Sequence, residues 1–503
     1  MTECKSQQLE FHGLGRREIV AQFDGGDITS DAGGLVLREV EERTGIIEKF
    51  AVCFTDYRDP ESIEHPVEDL LAQRLYGMCL GYEDLNDHDR LRSDPALAVM
   101  VGKEDPKGEH RRDKRDRGKA LAGKSTLNRL ELSEKEVSSE ERYKKIAMDS
   151  DAVDRVPVDV FLDAHRRAPR QIILDLDATD DPIHGNQEGR FFHGYYGNYC
   201  YLPLYIFCGE FLLGARLRSS NIDASEGALD ELKRIVAQIR KKWPAVHILI
   251  RADSGFCREE ILSWCEGHHV DYVIGLAKNE RLIREIEVEL KEADEEFQKT
   301  GKATRIFKEF SYQTLKTWSR IRRVIGKAEH LAKGSNPRFI VTSLPKQQLS
   351  PAHIYERIYC ARGEMENRIK EQQLGLFADR TSAATMRANQ LRLYFSSFAY
   401  MLMHALRRLG LKGTDLAKAQ CGTIRLKLLK IGAQIQVTVR RIWIRMAGGY
   451  PDREIFNFVL GNLRRLPLGG EFVLMRQSAF GITRGNASAS DNVPTPPVWI
   501  PDA

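Results

Sequence analysis

Four acidic positions combine a residue type and a setting that could do chemistry. Asp175 and Asp177 sit two apart in the apolar run QIILDLD (171–177), so an extended chain points both to one side. Asp253 closes a second apolar run, HILIRAD (247–253). Asp177 and Asp253 thus fall at the C-terminal ends of strands, where open sheets place their ligands and a carboxylate can face a cleft. Farther on, YCARGEMENRIK (359–370) sets Tyr359 ahead of Arg362, Glu366 and Lys370, the last three at four-residue steps on one helix face. Each feature has a plain structural explanation: strand-end Asp residues cap turns, and charges at this spacing form solvent-exposed ion pairs. Jointly, oxygen-only side chains from distant segments suit hard divalent cations such as Mg²⁺ or Mn²⁺.

The elements that must position these acids can be read from periodicity. QIILDLD is a buried-strand pattern. YCYLPLYIFC (199–208) and EFLLGARLRS (210–219) predict an antiparallel hairpin with its turn at Gly209. Leu229, Leu232, Ile235, Val236 and Ile239 predict an amphipathic helix from Ser225 to Lys242. HILIRAD, a helix over 258–267 and the strand DYVIGLA (271–277) follow. Three antiparallel strands followed by β-α-β steps resemble the layout of the ribonuclease-H-like fold.

The flanks differ in character. One strand over 18–23 precedes a helix capped by Ser30 or Asp31, carrying Leu35, Leu37 and Val40 and ended by Gly45. Pro66 opens a second helix, and the charged stretch 103–119 reads as a solvated loop. Residues 281–350 hold a charged helix and alternating segments, read as an inserted β-rich subdomain. Residues 352–446 read as helical and basic, and the Pro/Ser/Asn-rich 485–503 as a disordered tail. The expected division of this α/β chain is therefore a helical N-terminal region (1–165), the first part of a ribonuclease-H-like core (166–280) and the inserted subdomain (281–350). The last core helix with a basic helical region (351–450) and a C-terminal segment (451–503) complete it.

Charge is informative in its distribution and not in its total. The 503 residues carry 76 Lys+Arg against 72 Asp+Glu, a net charge of +4. Between Arg387 and Arg445, however, twelve Lys/Arg face one acid, Asp415, which is +11 in 59 residues and a candidate phosphate-binding surface. Arg387, Arg392, Arg407, Arg408, Arg440 and Arg441 are its candidate DNA contacts, with Lys124 a further one near the N-terminal region. Nine cysteines, an odd number with no C-x-x-C pair, point to reduced intracellular thiols. No run of about 18 apolar residues suggests a membrane span, so the expected location is the cytoplasm.

Asp177 in D-x-T, Asp253 in R-A-D-S-G-F (251–256) and Glu366 in Y-x(2)-R-x(3)-E resemble the DDE transposases of bacterial insertion sequences. LDLDATDDPIHG (174–185), FFHGYYGNYCYLPLY (191–205) and NPRFIVTSL (336–344) are similar to the insertion-sequence-1380 family, and the likeness runs from about residue 20 to about 450. It implies a cut-and-paste transposase that cleaves insertion-sequence ends and transfers the strand into target DNA. Two Mg²⁺ ions, with Mn²⁺ a substitute, would be held by Asp177 as the bridging ligand and by Asp253 and Glu366 from either side. Arg362 would grip a phosphate, and Tyr359 would meet the DNA backbone. Gln373 stands where the signature usually has Lys, which leaves Lys370 as the available lysine. The resemblance also implies double-stranded DNA partners (terminal inverted repeats and target), a homodimeric synaptic complex, and a nucleoid-associated bacterial protein.

Three rival readings remain open at this level. Asp175-Leu-Asp177-Ala-Thr179 matches the nucleophile motif of haloacid-dehalogenase-type phosphatases, with Asp175 attacking phosphorus and Asp177 as general acid. Gly118 to Ser125 matches the phosphate-loop pattern, but follows EHRRDKRDR, which is no buried strand. A catalytically inactive DNA-binding relic would carry the same acids.

Overall fold

A computed structural model describes residues 8–135, 144–347 and 349–468; the expected tail at 485–503 lies outside them. The described chain forms two compact units, one from 8–135, 144–150, 371–378 and 394–468, the other from 151–347, 349–370 and 379–393.

The second unit is built on a nine-stranded mixed sheet. Its first five strands are β1 (Gln171–Ala178), β2 (Leu204–Cys208), β3 (Phe211–Arg216), β4 (His247–Ala252) and β5 (Asp271–Leu276). In space they run β3-β2-β1-β4-β5. The β3-β2 and β2-β1 pairs are antiparallel, and β4 lies parallel to both β1 and β5. The turn between β2 and β3 falls at Gly209, whose φ of 59° suits a residue without a Cβ. Helices α1 (Ala228–Lys242) and α2 (Glu259–Gly267) make the crossovers into β4 and β5.

The segment expected as an inserted β-rich subdomain supplies further strands of this same sheet. Strands β6 (Thr304–Tyr312), β7 (Arg322–Leu331) and β8 (Arg338–Thr342) join it through an antiparallel β8-β5 pair. The run 199–208, expected as one strand, is two. Pro203 has no N–H to continue a ladder, and Asn198–Tyr201 pairs instead in a small sheet with Asp181–Pro182 and Phe191–His193.

The pleat sorts side chains onto two faces. Ile172, Leu174 and Leu176 of β1 and Ile248, Ile250 and Ala252 of β4 join one core with α1 and α2. The opposite face holds Leu249, Val273 and Ile340 against Ile354, Tyr355 and Ile358. Asp175, Asp177 and Arg251 alternate onto this second face, the one covered by the segment leading into helix α3 (Gly363–Leu376).

The first unit is largely helical. Leu35–Thr44 ends at Gly45 (φ 59°), but Asp31 makes no side-chain cap, because a short 3₁₀ turn over Ala32–Gly34 precedes the helix. Phe50 stacks on Phe398 at 3.9 Å. The Gln73 amide clamps both backbone groups of Ala122, at 2.8 and 3.0 Å. Ala120, Leu121 and Ala122, the middle of the phosphate-loop-like stretch, are buried, while Gly118, Lys124 and Ser125 at its ends are exposed. One expectation fails here. The end of the basic region is not helix but a hairpin, Ala433–Val437 with Ile442–Met446, paired onto Asp27–Thr29. Its period-2 alternation (Ala433, Ile435; Ile442, Ile444, Met446) outweighs the helical reading. Among the described residues no helix is long and apolar enough to cross a membrane.

Candidate active site

Parallel pairing of β1 with β4 sets the site. Asp175 lies opposite Arg251 and Leu176 opposite Ala252, so Asp177 and Asp253 are the next residues at adjacent strand ends. Asp177 is still in the strand. Asp253 has left its strand and caps a 3₁₀ turn over Ser254–Phe256, its Oδ1 accepting from the Gly255 N–H at 2.8 Å.

The third acid arrives on α3. Before it the chain makes a wide π turn (Ile354–Tyr359) and a 3₁₀ turn (Cys360–Arg362). Arg362 then reaches two carboxylates at once: Nη2 donates to Glu366 Oε1 at 2.9 Å and Nη1 to Asp177 Oδ1 at 3.5 Å. Burial pushes the Asp177 carboxyl up to about 7, against the pull of Arg362 and with help from the charges of Asp253 and Glu366. Strand pairing sets Asp253 at the strand end beside Asp177, and Arg362 ties Glu366 to Asp177. Among the described residues no group of three or more His, Cys, Asp or Glu is drawn together tightly enough to hold a metal ion. Arg362 stands between Asp177 and Glu366, bonded to both carboxylates.

Asp175 is accounted for differently. It is 3% exposed, and both its oxygens are taken by Arg251: Oδ1 by Nε at 2.5 Å and Oδ2 by Nη2 at 2.7 Å. Arg251 also donates Nη1 to the Ile358 carbonyl at 2.6 Å. A carboxylate so enclosed cannot attack phosphorus, and the phosphatase reading loses its nucleophile. Sequence reasoning gave Arg251 no role. Its signal was the register: an arginine two residues before a strand-end Asp faces the same way as that Asp.

Tyr359 is half-buried, and burial raises its phenol. Gly275 makes room for it: a Cβ there would lie 2.6 Å from the Tyr359 hydroxyl and 2.8 Å from the Ser254 nitrogen. Tyr359, Ser254, Gly275, Lys278 and Arg338 line a cleft of about 90 Å³. Lys370 is exposed one turn beyond Glu366.

The expected DNA contacts divide. Arg440 and Arg441 are exposed in the turn of the 433–446 hairpin, and the exposed Trp443 has the Arg441 and Arg445 guanidinia at 5.8 and 5.9 Å. Arg387 and Arg392 are half-buried in the first turns of the helix Met386–Leu409, Arg392 donating to Ser382 at 2.5 Å. Lys124 pairs with Asp89 at 3.4 Å and donates to Asn86 at 3.1 Å. Arg408 is half-buried and its pKa is lowered by that burial. Arg407 does not belong to a DNA surface. It is 3% exposed and bonded to buried Glu371 at 2.6 Å, because it lies on the core side of its helix.

No curated protein matches the chain. A cryo-EM structure of a piggyBac transposase synaptic complex with hairpin DNA is similar over 92% of this chain and 87% of its own, at a TM-score of 0.40 and 10% identity. The profile described as Transposase DDE domain group 1 matches residues 11–468. Matched over nearly its whole length, the chain belongs to that family of DDE transposases.

Proposed function

We propose that this protein is a cut-and-paste transposase of bacterial insertion-sequence type, with Asp177, Asp253 and Glu366 as the acids of a ribonuclease-H-like active site. The strand order β3-β2-β1-β4-β5, with β4 and β5 parallel to β1, supports that reading of the core. The observation that carries the function is the bridge from Arg362 to both Asp177 and Glu366, which ties acids 189 positions apart to one point at the C-terminal end of β1.

The donor set fits a hard divalent cation. Its ligand atoms are carboxylate oxygens, and Asp177 carries an ionisation cost that a cation would relieve. Asp177, Asp253 and Glu366 would hold two Mg²⁺ ions, with Mn²⁺ a substitute, once Arg362 turns aside. Such ions lower the pKa of bound water and neutralise charge on the scissile phosphate. The protein's own groups do the rest. Arg362 keeps Asp177 and Glu366 together before DNA arrives, then turns its planar fork to a phosphate. Tyr359, wedged over Gly275, sets the floor of the cleft, where Lys278 and Arg338 offer charge to the DNA backbone. Water attacks the phosphorus at the element's end and the 3′ oxygen leaves as a hydroxyl. That hydroxyl then attacks a target phosphate and displaces a second 3′ oxygen. Arg440 and Arg441 are the best-exposed of the expected arginines for holding duplex DNA. Synapsis of two ends calls for a homodimer.

The test compares two substrates. With Mg²⁺ the protein should nick DNA carrying its own terminal inverted repeats, leaving a 3′-hydroxyl, and should not hydrolyse p-nitrophenyl phosphate. Hydrolysis of the monoester without DNA nicking would overturn the proposal.

A further inference from the structure

Beside the carboxylates stands a small sheet whose aromatic rings face solvent. Phe191–His193 and Asn198–Tyr201 pair around the turn Gly194-Tyr195-Tyr196-Gly197, with Gly197 at φ 69°. Tyr195 is 86% exposed and Phe192 57%, and Tyr199 is exposed as well. A folded chain does not ordinarily leave three large rings outward on one short hairpin without a partner.

The rings are held, not loose. Phe192 meets Tyr199 edge to face at 5.5 Å, and Tyr195 meets Tyr196 in the same way at 5.0 Å. Arg190 lies 3.8 Å over the Tyr199 ring. The hairpin's base is fixed from below: the Tyr201 hydroxyl donates to the Glu188 carbonyl at 2.6 Å, and the Asn389 amide donates to that hydroxyl at 3.2 Å. Thr381 donates to buried Asp181 at 2.9 Å.

The hairpin is also tied to the catalytic strand. The Tyr196 hydroxyl donates to the carbonyl of Ala178, the residue after Asp177, at 3.4 Å, and Asn198 donates to Asp180 at 3.2 Å. Burial raises the Tyr196 phenol, and the charges of Asp180, Asp177 and Asp253 add to that rise. A rigid aromatic surface with a guanidinium, anchored beside the acids, suits a strand end whose bases have come out of the helical stack. Aromatic faces accept any base, and an arginine adds cation–π and phosphate contacts.

We infer that the Phe191–Tyr199 hairpin is a platform on which Phe192, Tyr195 and Tyr199 stack unpaired nucleobases of the DNA end held at the carboxylates. The inference rests on the transposase reading and deepens it. Burial of these rings by a second copy of the chain is the competing use of the same surface.

The test needs no cleavage. Binding is measured in EDTA to two end-containing duplexes, one fully paired and one with two unpaired terminal nucleotides, with 2-aminopurine at the unpaired position. Wild type should prefer the unpaired end by about tenfold, of the order of one stacked base, and should quench 2-aminopurine fluorescence. A Phe192→Ala/Tyr195→Ala variant, both side chains being exposed, should lose the preference and the quenching while binding paired duplex as wild type does. Equal binding of both ends by wild type, or an unchanged preference in the variant, would overturn the inference alone. An unchanged preference with a shift of the variant from dimer to monomer would assign the rings to self-association. Failure of wild type to bind either duplex would overturn the transposase reading with it.

Discussion

Asp175 and Arg251 form a closed two-point ion pair beneath the candidate active site, and the same guanidinium holds the Ile358 carbonyl one residue before Tyr359. The pair therefore couples the central strands to the turn that delivers Arg362 and Glu366. Removing one partner would strand a buried charge, which typically costs about 3–5 kcal/mol. Asp175→Ala should lower the unfolding free energy, read from urea denaturation, by that order, whereas Asp177→Ala should not destabilise the fold. Equal midpoints for the two variants would contradict the division of labour between the two aspartates.

The approach of Tyr359 to Gly275 gives a steric prediction. A Cβ at 275 would press on the Tyr359 hydroxyl and on the Ser254 backbone, so Gly275→Ala should reduce DNA cleavage at least tenfold while the protein stays folded. Adding Tyr359→Phe removes one of the two clashes and should restore part of the fold stability, read by thermal unfolding. Full cleavage by Gly275→Ala would mean the cleft tolerates displacement of Tyr359.

Acid should weaken the first unit through His88. It is fully buried, its Nδ1 is 3.1 Å from the Gln73 amide nitrogen, and burial lowers its pKa to about 3. The unfolded chain binds this proton near pH 6.5 and the folded one near 3, so stability falls as pH drops from 6.5 toward 3 and is unaffected by this group above that window. Urea midpoints between pH 7.5 and 4 should show the fall, and His88→Gln should flatten part of it. An identical pH slope in the variant would remove His88 from the cause.

DNA affinity should fall steeply with salt, and Arg440→Ser/Arg441→Ser should reduce the slope of log K against log salt by about 2. Arg407→Ala should instead lower stability, because it removes the guanidinium that pairs with buried Glu371. A selective loss of DNA binding in Arg407→Ala, with the unfolding midpoint unchanged, would contradict the burial.

Much of this was legible in the sequence, for physical reasons that differ between elements. Strands β1, β4 and β5 are short apolar runs bounded by polar residues, and their pattern alone locates Asp177 and Asp253 at strand ends. Arg362 and Glu366, four residues apart, do meet, but Arg362 lies in the 3₁₀ turn ahead of α3 and not on the face of that helix. The irregular turns that lead into it were illegible, since π and 3₁₀ geometry leaves no periodic mark. The hairpin at 433–446 was obscured by its basic content, which drew attention from the alternation of Ile435, Ile442 and Ile444. Arg407 was misread because its partner, Glu371, is 36 positions away, and only the fold brings the two together.

The most direct test of the central claim is cleavage of inverted-repeat DNA in Mg²⁺ by Asp177→Ala, Asp253→Ala and Glu366→Ala, with DNA binding measured in parallel. Each variant should bind DNA within about threefold of wild type and show at least a thousandfold less nicking, a loss of about 4 kcal/mol in transition-state stabilisation. Wild-type nicking by any one of the three would contradict its place among the acids that do the chemistry.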